Sequence, residues 1–295
     1  MSGQHLTQAF AASLWREGLA DGTRSKYVEH VRLFLTTLSV EPQDATRQDL
    51  EDYVDSLILA GLAVSTIRLR IAALRRFYDF LDDRELLPGR NPALRLKSPK
   101  RRKKPNDWLR ADEDLALYRA CVTPHERIVH ALLRYAGLRV GEACALLQED
   151  VDLEAKTIRV RVSKADSGLR TVPMARELAD ELHSWLAYVE RHGHRHAGLP
   201  VLVTTNGTPM KAQFAWRMVK RAAHRADVRA LPPPKLSSIS PHTLRRTFGS
   251  DLLNRGMRME TISKLLGHAD TRVTEACYAE MLDETVLAEW DALAS

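Results

Sequence analysis

Apolar residues return every three or four positions from Thr23 to Leu38, at Tyr27, Val31, Phe34 and Leu38, and that period predicts a helix with one face turned to a core. The stretch "VEPQDATRQDLEDYVDSLILAGL" predicts a second helix. A Pro-Asp loop leads in, Thr46 can cap, acidic residues occupy the first turn, the apolar spacing runs through Leu57, and Gly61 stops it. "VSTIRLRIAALRRFYDFLDDRELL" repeats the device, with Ser65 as cap and Ile67, Ile71, Leu74, Tyr78 and Leu81 as one stripe. Arg68, Arg75 and Arg76 fall mostly off that stripe, where charged residues ordinarily meet water. The chain through Leu96 reads as a small, nearly all-helical unit.

The pattern breaks at "KSPKRRKKPNDW". Lys100 to Lys104 is an unbroken basic run bracketed by Pro99 and Pro105. Like charges repel and proline cannot propagate a helix, so this segment is expected to be extended and mobile, a linker whose side chains seek phosphate. The expected organisation is a helical domain over residues 1–98, a basic linker over 99–107 and a second domain over 108–295.

Helical spacing resumes around Ala111 to Cys121 and over "HERIVHALLRYAG". "KTIRVRVSKADSGLRTVPM" switches to alternating β-branched residues around a Lys-Ala-Asp-Ser-Gly turn, the signature of a hairpin. Helices resume from Ala175, a short extended piece "PVLVTTNGTPM" carries an Asn-Gly turn, and helical patterns dominate from Phe214 to the end. The fold class is therefore expected to be mainly α: a helical domain, then a mixed α+β domain, mostly helical with a small β-sheet. No internal repeat or low-complexity tract interrupts it.

At 295 residues, 44% hydrophobic and 28% charged, the chain has the composition of a soluble globular protein with a sizeable core. Forty-four Lys and Arg against 38 Asp and Glu leave a net charge of +6, a balance that attracts polyanions. Cys121, Cys144 and Cys277 are far apart and form no CxxC pair, which points to a reducing compartment rather than a disulfide framework. "MSGQHLTQAFAASLW" lacks the basic start and apolar core of a signal peptide, and no apolar run reaches membrane-spanning length. A cytoplasmic protein without a membrane partner is expected.

There is neither a GxxxxGK[ST] loop nor a GxGxxG, so ATP-driven chemistry has no visible home. In "RHGHRH" the interleaved Arg191 and Arg195 would repel a cation, which favours a polar loop over a metal site. Two helical patterns meet at Asn254-Arg255-Gly256, as in a helix-turn-helix or an ordinary helical hairpin. Arg139 follows Gly137 at an element end, and Glu142, three residues on, can hold its guanidinium by an i, i+3 ion pair. Lys164 sits at the hairpin tip, His242 and Arg245 lie three apart at a helix start, His268 follows Gly267, and Tyr278 lies near the carboxyl terminus. Singly, each has a structural explanation.

In order and wording these pieces resemble the tyrosine recombinase (phage integrase) family, across nearly the whole chain. "GLRVGEACALLQEDVDLEAKTIRV" resembles the family's first-arginine segment, "SKADSGLRTVP" its lysine hairpin, "PHTLRRTF" its H-x-x-R box, and "LLGHADTRVTEACY" its histidine followed by the nucleophilic tyrosine. The resemblance implies a catalytic set of Arg139, Lys164, His242, Arg245, His268 and Tyr278. It also implies a core DNA-binding, SAM-like domain before the basic linker and a catalytic domain after it. Lys164 is followed by Ala-Asp-Ser where glycine and a second lysine are common, and Arg246 stands where histidine is frequent.

The implied reaction is cleavage and rejoining of a DNA phosphodiester through a covalent tyrosine intermediate. Tyrosine, with a pKa of about 10, is a poor nucleophile at neutral pH and needs help. Arg139 and Arg245 would meet the non-bridging oxygens as charge grows there, Lys164 would protonate the leaving 5′ oxygen, and His242 and His268 would hydrogen-bond the phosphate. No cofactor is implied: side chains supply the positive charge, and the 3′-phosphotyrosyl ester retains the energy of the broken bond.

The implied partner is double-stranded DNA bearing specific sites, held by a tetramer of this chain alone or with a second recombinase, with accessory proteins as further candidates and a nucleoid location. Arg68, Arg75, Arg76 and Lys100 to Lys104 are candidate phosphate contacts. Met281, Val286, Leu287 and Trp290, after Tyr278, are candidates to pack on a neighbouring protomer or within their own chain. The little room before Thr23 favours a simple Xer-like, two-domain recombinase. A type IB topoisomerase-like enzyme, which would relax plasmids lacking any special site, and a silent DNA-binding regulator, which would bind without cleaving, stay open as alternatives.

Overall fold

The computed structural model describes residues 3–100, 108–161, 169–196, 198–226 and 239–267. The chain divides into two compact units, Met1–Lys104 and Pro105–Ser295. Both are helical, and the second also carries a small antiparallel sheet.

The first unit is built from α1 (Gly3–Arg16), α2 (Asp21–Leu35), α3 (Arg47–Leu59) and α4 (Val64–Asp82). Helix α1 is not among the expected elements, although Leu6, Phe10 and Leu14 recur every fourth residue and are all buried. Those residues meet Val31 and Phe34 of α2, Leu50 and Leu57 of α3, and Ile71, Leu74 and Phe77 of α4 in one core. Phe10 and Phe77 pack edge to face with ring centroids 5.4 Å apart, the geometry that the ring quadrupoles favour. Thr46 caps α3 as expected, its backbone N–H donating to Asp49 Oδ2 at 2.7 Å.

Ser65 does not cap α4. The N-cap is Ala63, two residues earlier, because Gly61 (φ +71°) and the Leu62 N–H, donating to the Leu57 carbonyl at 3.2 Å, close α3 in a tight reversal that leaves Ala63 extended. The arginines expected to face water on α4 also have partners inside the unit. Arg68 donates to the Pro99 carbonyl at 2.7 Å, Arg75 donates to the Leu96 carbonyl, and Arg76 pairs with Glu17.

The second unit comprises α5 (Ala111–Arg119), α6 (Pro124–Arg134), α7 (Val140–Ala145), strands β1 (Val151–Asp152), β2 (Thr157–Arg161) and β3 (Leu169–Pro173), then α8 (Arg176–Arg191), α9 (Ala212–Arg225), α10 (Pro241–Asn254) and α11 (Met259–Leu266). The strands lie in the order β1-β2-β3, all antiparallel, with Ile158 opposite Val172. Ile158, Val160 and Val172 turn inward while Arg159 and Arg161 face out, the alternation that the sequence shows. The hairpin is thus present, and its tip, with Lys164, lies outside the described residues. "PVLVTTNGTPM" makes a turn closed by an isolated bridge between Val203 and Pro209 instead of paired strands.

Helix α6 runs through the centre of this unit and is buried nearly all round. Its apolar side chains join the main core, and three of its buried polar side chains are paired: Glu126 with Arg225 at 2.7 Å, His130 with Asp114 at 3.2 Å, and Arg134 with Asp114 at 2.8 Å and with Asp251, while His125 packs its ring against Trp185 and Tyr188. His192, His194 and His196 each bond a backbone carbonyl, so "RHGHRH" is a polar loop as expected. Among the described residues no helix is long and apolar enough to cross a membrane.

Candidate active site

The site begins where α6 ends. Gly137 takes a left-handed conformation, φ +59°, and the Leu138 N–H donates back to the Leu132 carbonyl at 3.3 Å. A Cβ at residue 137 would meet Phe248 of α10, so the turn needs glycine for its conformation and for its space. That turn delivers Arg139 to the N-cap position of the short helix α7.

Glu142, in the first turn of α7, is shared by three arginines. Its Oε1 accepts from Arg139 Nη1 at 2.7 Å and from Arg170 Nη1 at 3.1 Å. Its Oε2 accepts from the Arg139 backbone N–H at 2.8 Å and from Arg170 Nη2 at 2.7 Å, with Arg245 Nη1 3.7 Å away. Burial by itself would raise the Glu142 pKa. The hydrogen bonds and charges of Arg170 and Arg139 outweigh it and hold the carboxyl at about 2. Among the described residues, three guanidinium groups thus surround one carboxylate.

The same arginines clamp the end of α11. Arg170 Nε donates to the Leu265 carbonyl at 2.9 Å, Arg245 Nη2 donates to the Leu266 carbonyl, and Arg139 Nη2 donates to the Gly267 carbonyl at 2.9 Å. Helix carbonyls at a C-terminus lack intrahelical partners and carry partial negative charge, so three cations are a natural cap. Gly267 closes the helix in a left-handed conformation, and a Cβ there would lie 2.6 Å from Arg170 Nη1. His268 is the next residue in sequence.

Helix α10 supplies His242 and Arg245. Ser240 and Thr243 cap it reciprocally, with the Ser240 N–H donating to Thr243 Oγ1 at 3.1 Å and the Thr243 N–H to Ser240 Oγ at 3.4 Å. Pro241 occupies the first turn, where no N–H is needed. Arg245 points inward and also donates from Nη1 to the Gly137 carbonyl at 2.6 Å. His242 reaches solvent, and its pKa lies below the ordinary histidine value. Desolvation lowers it most, followed by the positive charges of Arg245, Arg246 and Arg139. For a ring that water reaches, the three guanidinium groups are the firmer cause.

Of the six residues implied by sequence, Arg139, His242 and Arg245 converge here, while Lys164, His268 and Tyr278 lie outside the described residues. The expected Arg139–Glu142 ion pair is present. Side-chain exposure separates the arginines: 41% for Arg139 against 4% for Arg245 and 10% for Arg170, so Arg139 is the one an approaching anion meets first. Arg170 has no place in the sequence reading. Helix α10 buries Thr243, Leu244, Arg245 and Thr247 to Ser250, and it packs with α11 as a helical hairpin.

The fold is similar to that of solved integrases. The chain matches the Tn1549 transposon integrase in complex with transposon right end DNA at a TM-score of 0.74, over 98% of this chain and 99% of that one, with 22% identity. It matches a lambda integrase tetramer bound to a Holliday junction at a TM-score of 0.75, over 91% and 77%, with 18% identity. In sequence, residues 7–85 match the N-terminal SAM-like domain of phage integrases and residues 107–285 the phage integrase family itself. The tyrosine recombinase XerD of Ralstonia nicotianae is 32% identical over 285 residues, 93% of this chain and 89% of that protein. The chain belongs to the phage integrase family of tyrosine-type site-specific recombinases.

Proposed function

We propose that this chain cleaves and rejoins duplex DNA at specific sites through a 3′-phosphotyrosyl intermediate, with Tyr278 as nucleophile. The observation that carries the reading is the positive cluster of Arg139, Arg170 and Arg245 around one carboxylate, with the exposed Arg139 at its mouth. Such fixed charge favours the five-coordinate phosphorane, whose non-bridging oxygens carry more charge than the substrate's.

Arg139 binds a non-bridging oxygen of the scissile phosphate. Arg245, buried behind it, contributes charge and binds directly where one of its carbonyl partners is exchanged for the phosphate. The lowered pKa of His242 keeps its ring neutral near pH 7, the form that can accept the tyrosine proton. Lys164 protonates the leaving 5′ oxygen, and His268 hydrogen-bonds the phosphate. The intermediate conserves the energy of the broken bond, so rejoining by a 5′ hydroxyl requires no nucleotide triphosphate.

Residues 1–98 act as the core DNA-binding domain, 99–107 as a basic linker and 108–295 as the catalytic domain, in an assembly of four protomers on two sites in the nucleoid. The lambda integrase tetramer on a Holliday junction supports the assembly by its likeness in fold. The test is covalent trapping on nicked duplexes taken from DNA flanking the gene and from a random-sequence pool. Wild type is expected to give an adduct that survives a denaturing gel, and Tyr278→Phe none. Tight binding without an adduct would overturn the phosphotyrosyl reading in favour of a silent regulator, and equal cleavage of every duplex would favour a topoisomerase-like enzyme.

A further inference from the structure

We propose that Arg170 is a positioning residue for Arg139: its two-pronged contact takes up the charge of Glu142, so that the carboxylate orients Arg139 without neutralising it. This rests on the reading of Arg139 as the ligand of the scissile phosphate.

An incoming phosphate and Glu142 compete for the same guanidinium. Without Arg170, Glu142 would keep only Arg139 and, at 3.7 Å, Arg245 among the described residues, and would draw on the charge that the phosphate is to meet. Arg170 changes that balance. Its Nη1 and Nη2 meet Oε1 and Oε2 at 3.1 and 2.7 Å, the forked pairing that matches guanidinium to carboxylate. Its Nε holds the Leu265 carbonyl at 2.9 Å, which fixes the fork in register with the end of α11. At 10% exposure Arg170 offers an approaching phosphate far less surface than Arg139 does at 41%. Its place depends on Gly267, where a Cβ would lie 2.6 Å from Nη1 and 3.1 Å from Cζ. Strand β3, helix α7 and the C-terminal end of α11 are thus joined through Arg170, which shares the Glu142 carboxylate with Arg139.

The test uses the full chain and the nicked duplex that wild type captures covalently. Arg170→Gln is expected to slow single-turnover cleavage by about tenfold to a hundredfold, the size of effect when a partner that orients a site residue is lost, with affinity for the uncleaved duplex changed by less than about threefold. Adding Glu142→Gln keeps an acceptor oxygen for the α7 N-terminus and removes the unbalanced charge, so the double variant is expected to cleave faster than Arg170→Gln alone. A merely structural Arg170 predicts the opposite, a further loss. If Arg170→Gln does not fold, Arg170→Lys replaces it; that variant loses the fork but keeps the charge that balances Glu142, so a loss smaller than about tenfold is expected, and a loss of about a hundredfold or more would overturn the proposal.

Cleavage by Arg170→Gln at the wild-type rate, or slower cleavage once Glu142→Gln is added, would overturn the proposal while leaving the phosphotyrosyl reading intact. A wild-type chain that captures no duplex would remove that reading, and the role of Arg170 with it.

Discussion

Phe248 fills the space that any side chain at residue 137 would need: a Cβ on Gly137 would lie 2.3 Å from Phe248 Cδ1, at a backbone φ of +59°. The turn that places Arg139 and the packing of α10 that places Arg245 therefore depend on each other.

Gly137→Ala is accordingly expected to destabilise the chain by about 2 to 4 kcal/mol, combining left-handed strain with overpacking. Urea unfolding checks this: a lower midpoint at unchanged slope is expected, whereas a wild-type midpoint would mean that the turn has no need of glycine.

Glu142 links stability to acid. Its folded pKa of about 2 lies below its ordinary 4.5, so its contribution is fully present above pH 4.5 and fades as pH falls toward 2. The shift corresponds to about 3 kcal/mol at neutral pH, as an order of magnitude. Unfolding free energies of wild type and Glu142→Gln should therefore differ most above pH 5 and draw together as pH falls through 4 toward 2; a constant difference would show that the carboxyl is not held ionised.

His242 offers a direct spectroscopic check. Its imidazole is expected to titrate below the ordinary histidine value of 6.5, and Arg246→Gln, which removes one of the charges lowering it, should move the midpoint upward. Two-dimensional NMR across pH 4.5 to 8 reads both. An unchanged midpoint in Arg246→Gln would remove that charge as a cause.

The basic run Lys100 to Lys104 is expected to set how DNA affinity depends on salt. Replacing its five residues with glutamine should weaken binding and flatten the plot of log K against log salt by about 0.9 for each phosphate no longer neutralised. Filter binding from 50 to 300 mM salt decides it, and an unchanged slope would mean that the run touches no phosphate.

The helices are legible in the chain because periodic apolar spacing records one-sided burial: Ile67, Ile71, Leu74, Tyr78 and Leu81 form a stripe along the sequence, and all five are buried in the folded protein. Leu6, Phe10 and Leu14 carry the same signal for α1, read only by asking where that face would pack. Strand β1 spans two residues, too few for alternation to show. The start of α4 eludes local reading because the reversal after Gly61, not a capping serine, decides it.

Arg139 and Glu142 are close in sequence, and so are His242 and Arg245; side chains three apart on a helical turn meet wherever the turn is placed. Arg170 is different. It lies 28 residues from Glu142 and 95 from Leu265, and nothing in its local context distinguishes it from the outward-facing arginines of β2. Local order along the chain records which side chains share a turn. Which charges share a carboxylate, and which of three arginines remains exposed to an anion, follows from the packing of α7, β3, α10 and α11, because those distances exist only once the core has closed.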